Sequence, residues 1–495
     1  MSVVLSKTDY ILYRECPQNV WYKIYKPDVY FTLELSDFEK NIIETGNEVE
    51  VVARKMYPGG TLVEGRGKDA QEKTKELIDN KTETIFQPVF LKDGFLAAVD
   101  ILRYDKESDA YQIYEIKASN NIKEKVHIYD LAFQVVLLRK IGIKISAMYL
   151  MHLNSDYVRD GELDIFKLFK ADDMTYEVEK ISEAVSTEMQ TALDYINNKK
   201  EPEGSCVCIY KGRSGHCTTF CHSNPHVPTY SIHDISRIGT SKRKIRELID
   251  KNVLHIHEVP EDFDLSEAQR NQVDTHIKDE PIINQAKIVE ELEKLEFPLY
   301  FIDYEASPVA IPLFDGFSPY QPIPFQYSLH ILDKPSGELK HKEFLHTEFS
   351  DPSKAFAESL QKNIGDKGNL IVWSKQYESM INRHLARRIP EFGGFIEDIN
   401  KRMYDLRDIF TKQHHVHKDF KGSTSIKKIM PVIAPDLSYK KLGIQEGGTA
   451  AASWVVLTDK NKSQEERDKI KKDLLEYCKM DTYAMVRIYE ELDKL

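Results

Sequence analysis

Residues 97–119, AAVDILRYDKESDAYQIYEIKAS, contain two apolar stretches around a charged turn, which is the pattern of a β-hairpin. Asp100 lies inside the first stretch, and Glu115 and Lys117 flank Ile116 in the second. Because successive side chains of a strand point to opposite faces, Glu115 and Lys117 share one face while Ile116 points to the core. The hairpin therefore predicts a sheet that carries acidic groups and an amine on one face.

The segments around this hairpin predict a compact α/β unit. Residues 36–57 have apolar side chains at helical spacing and stop at a Pro-Gly-Gly turn. Downstream, 127–142 is typical of a helix that ends at a glycine, and 145–153 is typical of a strand. The remaining predicted elements are strands over 84–91, 95–103 and 111–117 and a mostly helical stretch over 172–199.

Changes of composition along the chain predict three parts. Residues 1–225 hold the α/β unit and a cysteine-rich segment, and residues 226–295 are typical of a polar helical connector. Residues 296–495 begin with an apolar strand at 297–307, for which 324–332 is the predicted antiparallel partner. The elements that follow alternate between strand and helix, so we expect a second α/β domain there.

The composition is that of a globular protein. The 495 residues are 41% hydrophobic and 30% charged, which argues against a disordered or membrane-embedded chain. No apolar run approaches the roughly 20 residues of a membrane-spanning helix, and the start, MSVVLSKTDY, lacks the apolar core of a signal peptide. We therefore expect a cytoplasmic protein without a membrane partner. The net charge of −12 argues against unspecific coating of nucleic acid but permits a local basic groove.

The residue types of the hairpin fit phosphodiester hydrolysis. Carboxylate oxygens on adjacent strand ends suit a hard divalent cation such as Mg²⁺ or Mn²⁺. Such a cation polarises the phosphate and makes water more acidic, and a nearby lysine orients that water and offsets developing charge. The spacing of Asp100, Glu115 and Lys117 is similar to the D…E-x-K core of PD-(D/E)xK nucleases. A solvated, charged hairpin face is the alternative interpretation.

Residues on both sides of the hairpin extend this resemblance. Glu50 lies on the preceding helix, where this nuclease class often carries a His or Glu ligand. Asp130 and Gln134 lie four residues apart on the following helix and share one face. Gln134 is where RecB-type enzymes carry a glutamine that helps to position substrate. The resemblance implies metal ligands at Glu50, Asp100 and Glu115, with Lys117 and Gln134 as catalytic residues.

Five of the six cysteines lie in two places, at Cys16 and within the segment GSCVCIYKGRSGHCTTFC. In a cytoplasmic chain they are expected to be reduced and available to a metal. One cysteine before a nuclease core and several after it resemble the iron–sulfur RecB/AddB-type exonucleases, in which four thiolates hold a [4Fe–4S] cluster. The resemblance implies Cys16, Cys208 and Cys217 as ligands, with Cys206 or Cys221 as the fourth. The spacing departs from the usual C-x2-C, and zinc is the alternative.

A second set of acidic residues lies in the C-terminal part. Asp303 and Glu305 alternate on an apolar strand and so face one way. Tyr477 and Asp481 lie four residues apart on one face of a predicted helix. Together they resemble the DnaQ-type, RNase H-like exonucleases of the DEDDy kind, in which two metal ions stabilise the attacking and leaving oxygens. The resemblance implies Asp303, Glu305 and Asp481 as metal ligands and Tyr477 as the residue that orients the attacking water.

The middle motif of that family departs from its usual form. In place of Asn-x3-Phe-Asp the chain has WSKQYESM, with Tyr377-Glu378 at the Phe-Asp positions. Glu378 can bind metal, although its extra methylene shifts the geometry, and Asp405 or Asp408 is an alternative ligand. The departure favours a degenerate second site as an alternative interpretation.

Three further features are interpreted as mainly structural. The HHVH segment at 414–417 is expected to be a solvated turn. GSTSIKK at 422–428 predicts a helix start whose Lys427 or Lys428 can also contact phosphate. Cys478 lies in a strongly helical segment and is expected in the core.

From end to end, with segments such as SKTDYILYRECPQNVWY and YCKMDT, the chain resembles an uncharacterised bacterial family that fuses an iron–sulfur RecB-type nuclease to a DnaQ-like exonuclease domain. The implied fold is a restriction-endonuclease-like PD-(D/E)xK domain joined by the connector to an RNase H-like 3'-5' exonuclease domain. The implied activity is Mg- or Mn-dependent exonucleolytic cleavage of DNA, as single strands or duplex ends. RNA as substrate, or a nucleic-acid clamp with one degenerate site, is the alternative. Because no ATP-binding motif is present, unwinding would need a partner helicase.

Overall fold

The computed structural model describes residues 3–31 and 37–495 and has a mixed α/β fold. The chain divides into two compact units. Unit 1 comprises Met1–Ile209, Gly215–His226 and Ala310–Tyr320, and unit 2 comprises Tyr210–Ser214, Val227–Val309 and Gln321–Leu495. Across the described ranges, no helix has both the length and the apolar character that crossing a membrane requires.

Unit 1 contains nine strands and nine helices within its described residues. The strands are β1 Leu5–Ser6, β2 Thr61–Leu62, β3 Thr84–Phe86, β4 Val89–Lys92, β5 Phe95–Ala98, β6 Ile101–Asp105, β7 Ala110–Lys117, β8 Ile145–Leu153 and β9 Phe169–Asp173. The helices are α1 Lys7–Glu15, α2 Pro17–Tyr25, α3 Pro27–Tyr30, α4 Asp37–Arg54, α5 Lys68–Asp79, α6 Glu124–Ile141, α7 Ile165–Leu168, α8 Thr175–Asn197 and α9 Phe220–Ser223.

A six-stranded sheet in the order β2-β3-β6-β7-β8-β9 forms the centre of unit 1. Strands β6 and β7 pair antiparallel as the predicted hairpin, and β7 and β8 pair parallel through the crossover helix α6. Gly142 ends α6 in the left-handed conformation, with φ of 94°, which glycine adopts without steric cost. The structure confirms the predicted strand 145–153, and the predicted helices 36–57 and 127–142 correspond to α4 and α6.

Two predicted strands of unit 1 are each broken in two. The chain leaves the six-stranded sheet after β3 and enters a three-stranded sheet, in the order β1-β5-β4, and it returns between β5 and β6. At the first break Gln87 has φ of 53° and is followed by Pro88, which has no N–H to donate to a ladder. The second break lies at Val99 and Asp100, so Asp100 sits where the chain crosses from one sheet to the other.

Unit 2 contains seven strands and ten helices. The strands are β10 Ile282–Ile283, β11 Leu299–Ser307, β12 Ile323–Leu332, β13 Leu339–Leu345, β14 Asn369–Val372, β15 Met403–Asp405 and β16 His415–Val416. The helices are α10 Lys242–Asp250, α11 Glu267–Lys278, α12 Gln285–Leu292, α13 Ser353–Asn363, α14 Lys375–Arg388, α15 Gly393–Arg402, α16 Asp408–Thr411, α17 Ile426–Ile433, α18 Gly447–Thr458 and α19 Gln464–Leu492.

The main sheet of unit 2 has five strands in the order β13-β12-β11-β14-β15. The predicted antiparallel pairing of β11 with β12 is confirmed, and β14 lies parallel to β11 on its other side. Alternate residues of β11 serve different faces, since Tyr300, Ile302 and Tyr304 belong to a core cluster with α13 and α14. Phe301 instead contacts Tyr489 of α19, with ring centroids 5.6 Å apart. The odd-numbered residues of β11 therefore face the C-terminal helix.

The segment 226–295 contains the expected helices, here α10 to α12, and belongs to unit 2 apart from its first residue. It also contributes strand β10, which pairs antiparallel with β16. The interpretation of 414–417 as a solvated turn is wrong, because β16 is a paired strand and Val416 is buried against Ile282. A two-residue strand carries too little periodicity to be distinguished from a turn in the sequence.

Candidate functional site

The strand register of unit 1 brings Asp100 beside the second strand of the hairpin. Ile101 pairs with Tyr114, so the next position outward places Asp100 beside Glu115. The Ile116 N–H donates to Asp100 Oδ2 at 2.8 Å, which fixes the carboxylate against the strand. Because β6 begins only at Ile101, the Asp100 side chain takes the place of a strand neighbour and accepts the Ile116 N–H of β7.

Glu115 is buried and fully paired. Its Oε1 accepts from both Lys7 Nζ, at 2.6 Å, and Lys117 Nζ, at 2.9 Å. Its Oε2 accepts from Gln134 Nε2 at 2.7 Å. Lys117 Nζ also donates to Asp130 Oδ2 at 2.6 Å. Burial alone would raise the pKa of Glu115, but the two lysines outweigh it and hold that pKa below its usual value.

A glutamine links the other two predicted ligands. Gln87 Nε2 donates to Glu50 Oε1 and, at 3.2 Å, to Asp100 Oδ1. Arg54, one turn further along α4, forms an ion pair with Glu50. Burial, followed by the charges of Glu115 and Glu50, raises the pKa of Asp100 to about 7 although Lys7 opposes this shift. The structure therefore brings Glu50, Asp100, Glu115, Lys117 and Gln134 into one cluster, called here the hairpin site.

Sequence reasoning missed two members of the hairpin site, Lys7 and Gln87. Lys7 is the first residue of α1, whose start is fixed by a capping box between Ser6 and Asp9. The capping pattern is visible in the sequence, but the 108-residue separation from Glu115 hides the contact. Gln87 is placed by the Gln87-Pro88 break, which sequence periodicity did not indicate.

The donor types of the hairpin site suit a hard cation, but their spacing is incomplete. Glu50, Asp100 and Glu115 do not form a set of three oxygens within 4.8 Å of one another among the described residues. Lys7 and Lys117 share the inner oxygen of Glu115. A divalent cation would therefore compete with an ammonium group for that oxygen.

Four cysteines of unit 1 meet in a second cluster. The Sγ atoms of Cys16, Cys206, Cys208 and Cys217 all lie within 4.8 Å of one another, and Cys206 and Cys217 are 3.9 Å apart. This set is called here the thiol cluster. Cys221, the other candidate for the fourth position, is exposed and lies outside it. Cys16 follows α1 directly, so the cluster fixes the end of the helix that begins at Lys7.

Polar neighbours hold the thiol cluster in place. Asn224 Nδ2 donates to Cys206 Sγ at 3.2 Å, and the Thr219 hydroxyl lies 3.9 Å from Cys217 Sγ. Asn19 Oδ1 in turn accepts from the Thr219 hydroxyl at 3.0 Å. Hydrogen bonds from the neighbouring thiols hold the pKa of Cys206 well below its usual range. The donor set thus fits a thiophilic metal centre.

The spacing of the thiols bears on which centre they fit. A tetrahedral zinc site with metal–sulfur distances of about 2.3 Å has sulfur atoms about 3.8 Å apart, close to the 3.9 Å between Cys206 and Cys217. A cluster of four irons needs its thiolates further apart, because iron and sulfide atoms lie between them. The thiols would therefore have to move less to bind a single tetrahedral ion than to bind a four-iron cluster.

Unit 2 gathers the second predicted set around one cavity of about 280 Å³, called here the carboxylate cavity. Asp303 and Glu305 line it from β11, and Tyr477 and Asp481 line it from α19. Glu378 of α14 completes the acidic lining. Neither Asp405 nor Asp408 is among the described lining residues. Asp405 Oδ2 instead accepts from the N–H of Lys375 at 2.9 Å and so caps the start of α14.

The carboxylates of this cavity repel one another. Burial, and then the charge of Asp481, raise the pKa values of Asp303 and Glu305 well above their usual range. Burial also raises the pKa of Asp481 to about 6 and that of Glu378 to about 8. Glu378 Oε2 is buried without a hydrogen-bond partner. Carboxylate oxygens on three elements, one of them buried without a partner, are the donor types that a hard divalent cation prefers, so the residue types fit Mg²⁺ or Mn²⁺.

Two tyrosines and a lysine lie near the acidic groups of the carboxylate cavity, and of these Tyr477 and Lys427 line it. Tyr439, which sequence reasoning missed, donates to Asp481 Oδ1 at 2.5 Å. Burial and the nearby carboxylates raise the pKa of Tyr477 far above its usual value, so its phenol stays protonated. Lys427 Nζ lies 5.4 Å from the Tyr477 ring centroid. Cys478 is buried as expected, with its thiol 3.7 Å from the Asp303 carbonyl oxygen.

A pH dependence of stability follows from these raised pKa values. In the window between the unfolded values near 4 and the folded values of about 6 to 8, native unit 2 binds more protons than the unfolded chain, so its stability falls as pH rises. For Asp481 the shift corresponds to about 3 kcal/mol. We expect the melting temperature in EDTA to fall by several degrees from pH 5 to pH 8, and Mg²⁺ to restore it more at pH 8 than at pH 6. The matched variant Asp481→Asn should show a smaller dependence, and a wild-type melting temperature that rises through this window would contradict the assignment.

Comparisons with known proteins cover parts of the chain. A family model described as a domain of unknown function, DUF2779, matches residues 300–425, which include Asp303, Glu305 and Glu378. The uncharacterized protein MG366 of Mycoplasma genitalium is 27% identical over 215 residues, covering 39% of this chain. The aligned part spans about a third, 32%, of that relative's length.

Proposed function

We propose that the protein is a metal-dependent nuclease that hydrolyses phosphodiester bonds in DNA exonucleolytically. Unit 1 would be a restriction-endonuclease-like PD-(D/E)xK nuclease, and unit 2 an RNase H-like 3'-5' exonuclease. The observation that carries the proposal is the convergence of Asp303, Glu305, Glu378 and Asp481, with Tyr477, on one cavity. Buried acids with raised pKa values gathered in a cavity are typical of functional sites. Such acids destabilise the protein while no ligand is bound, so a function is the usual reason for their presence.

In unit 2 the four carboxylates would hold Mg²⁺ or Mn²⁺. When bound, such ions stabilise the attacking and leaving oxygens of an in-line displacement. The protonated Tyr477 phenol would donate a hydrogen bond that orients the attacking water. Lys427 would offset charge on the phosphate, and Trp373 and Tyr377, which also line the cavity, would provide aromatic faces against the terminal base.

In unit 1 the roles would be divided among three groups around Glu115. Lys117, held between Glu115 and Asp130, would orient the attacking water and stabilise negative charge on the phosphate. Gln134 would keep Glu115 in its rotamer through its 2.7 Å hydrogen bond. Lys7 would act as the counter-ion that Glu115 needs before Mg²⁺ or Mn²⁺ binds with Glu50 and Asp100.

For the thiol cluster we propose a structural metal centre held by Cys16, Cys206, Cys208 and Cys217. The resemblance to iron–sulfur nucleases supports a [4Fe–4S] cluster. The 3.9 Å distance between Cys206 and Cys217 instead supports zinc. Either centre would tie the N-terminal helices to the segment 206–217.

A second candidate function is that of a nucleic-acid clamp with one degenerate site. Two lysines already neutralise Glu115 in the hairpin site, which favours binding of phosphate over binding of a cation there. Glu378 stands where DnaQ-type exonucleases have an aspartate, which favours a degenerate site in unit 2. RNA remains a candidate substrate because the same residues would cleave either nucleic acid, and a partner helicase would supply unwinding in the cytoplasm.

A cleavage assay tests these proposals. Wild-type protein, Lys117→Ala, Asp303→Asn and the double variant are incubated with 5'- or 3'-end-labelled single-stranded DNA, duplex DNA or RNA, with Mg²⁺, Mn²⁺ or EDTA. We expect each single variant to lose one cleavage activity and the double variant to lose all of it, by at least about a thousandfold. Lys92→Ala, an exposed lysine of unit 1, is the matched control.

Two outcomes of this assay would contradict nuclease function. If cleavage continues in EDTA, or if the double variant cleaves at the wild-type rate, the products come from a contaminating nuclease. Metal-independent binding without any product would support the clamp instead, and product formation from RNA alone would correct the substrate.

A further inference from the structure

A second and larger cavity of unit 2 has no part in the proposed chemistry. It encloses about 560 Å³, within the usual size range of small-ligand sites. Its walls come from the segments 236–244, 266–272, 407–416 and 420–424. The described lining contains no aspartate and no glutamate, although the chain carries a net charge of −12. We call it the basic cavity.

Three cationic side chains line the basic cavity. The Arg407 guanidinium is held by a 3.1 Å bond from its Nε to the Thr424 hydroxyl, which leaves its two terminal nitrogens without partners among the described residues. Arg237 forms no ion pair or side-chain hydrogen bond with any described residue. Lys244 Nζ lies 3.4 Å from the exposed carboxylate of Asp264. Guanidinium groups with free terminal nitrogens are suited to an anion with several oxygens, such as phosphate.

Aromatic rings form part of the same lining. Phe410 and His415 lie nearly parallel, with centroids 5.8 Å apart, and Phe420 packs edge-on against Phe410 at 5.7 Å. His415 Nδ1 is buried and has no hydrogen-bond partner among the described residues. The cavity therefore places cations that can bind phosphate beside an apolar wall formed by buried rings.

The basic cavity is connected to the carboxylate cavity through Thr424. The Thr424 hydroxyl accepts from Arg407 inside the basic cavity. The Thr424 carbonyl accepts from Trp373 Nε1 at 3.0 Å, and Trp373 lines the carboxylate cavity. A strand bound at one cavity would therefore lie close to the other.

We infer that the basic cavity binds a phosphate-bearing nucleotide, as an anchoring subsite for the strand whose end enters the carboxylate cavity. This inference rests on the proposed nuclease function for its substrate. The same chemistry would also accept a free mononucleotide, so the test includes both ligands.

Binding measured without cleavage tests the inference. Fluorescence anisotropy of a labelled single-stranded oligonucleotide, with Ca²⁺ or EDTA in place of Mg²⁺, gives the dissociation constant over a series of salt concentrations. Arg237→Gln and the double variant Arg237→Gln/Arg407→Gln are expected to weaken binding by about tenfold for each guanidinium and to lower the salt dependence. Arg243→Gln is the matched control, because Arg243 lies on the same helix as Lys244 but outside the lining and is paired with Glu247 and Asp264.

A parallel arm distinguishes the two ligands. Thermal shifts with dAMP and with inorganic phosphate, compared between wild type and Arg237→Gln, show whether a free mononucleotide fills the cavity. A shift with dAMP that Arg237→Gln removes, or an oligonucleotide affinity that only the cavity variants reduce, supports the inference. Equal losses in Arg243→Gln and Arg237→Gln, or no loss in either, overturn it.

The two proposals fail separately in these experiments. If the protein does not cleave nucleic acid but its affinity depends on Arg237, the binding site is supported and the nuclease function is rejected. If the protein cleaves nucleic acid but its affinity does not depend on the basic cavity, the nuclease function is supported and the binding site is rejected. Because Arg237 is exposed and forms no side-chain hydrogen bond or ion pair with described residues, Arg237→Gln is expected to leave folding intact even where the Arg407 substitution does not.

Discussion

Asp303→Asn is expected to abolish cleavage by unit 2 and, in EDTA, to raise the melting temperature of that unit. Asp303 is half-buried beside Glu305 and Asp481, and loss of hydration followed by repulsion from these two carboxylates raises its pKa well above the usual range. An amide of the same size removes that repulsion, so we expect a gain of about 1–2 kcal/mol at pH 8. The same change removes a predicted metal ligand, so the cleavage rate should fall by at least about a thousandfold.

The opposite signs of the two effects make this prediction specific. Melting curves in EDTA and in Mg²⁺ should show that cation stabilises the wild type but no longer stabilises Asp303→Asn. Asp333→Asn is the matched control, because Asp333 is half exposed and paired with Lys340 away from the cavity. A variant that melts lower than wild type in EDTA, or one that cleaves normally, would show that Asp303 has only a structural role.

Cys206→Ser is expected to release the metal of the thiol cluster and to destabilise unit 1. Structural metal sites contribute on the order of 10 kcal/mol to folding, and the loss of one of four thiolates removes much of that contribution. Cys206 also accepts from Asn224, so its loss leaves a buried amide without its sulfur partner. We expect the melting temperature of unit 1 to fall by more than about 10 °C.

Cys221→Ser is the control for this experiment, since Cys221 is exposed and lies outside the cluster. Metal and sulfide analysis of anaerobically purified protein identifies the centre. Brown protein with four irons and sulfide supports the iron–sulfur proposal, and colourless protein with one zinc supports the tetrahedral ion. Equal metal content and stability in Cys206→Ser and wild type would show that the thiol cluster holds no structural metal.

Local periodicity was enough to predict the residues that lie close together in sequence. The alternation of Glu115 with Lys117, and of Asp303 with Glu305, placed each pair on one face of a strand, and the structure has both strands. The spacing of Tyr477 and Asp481 likewise placed both on one face of a helix that lines the cavity. These relations follow from the geometry of a single element.

Contacts across the fold were not accessible in this way. Lys7 reaches Glu115 over 108 positions, and Tyr439 reaches Asp481 over 42 positions from a single 3-10 turn. The fourth thiol of the cluster is Cys206 and not Cys221 because of the path of the connecting loop. The sequence separations of both cysteines from Cys208 and Cys217 would have allowed either one. The basic cavity combines segments of the helical connector and the C-terminal part, so no single stretch of sequence reveals it.

Helix α1 joins the hairpin site to the thiol cluster. Its first residue, Lys7, contacts the carboxylate of Glu115, and the residue after its end, Cys16, belongs to the thiol cluster. A helix of nine residues is a stiff rod of about 13 Å. Lys7 and Cys16 are therefore joined by one short, continuous helix, so a variant that displaces Cys16 is expected to disturb the pairing of Lys7 with Glu115 as well.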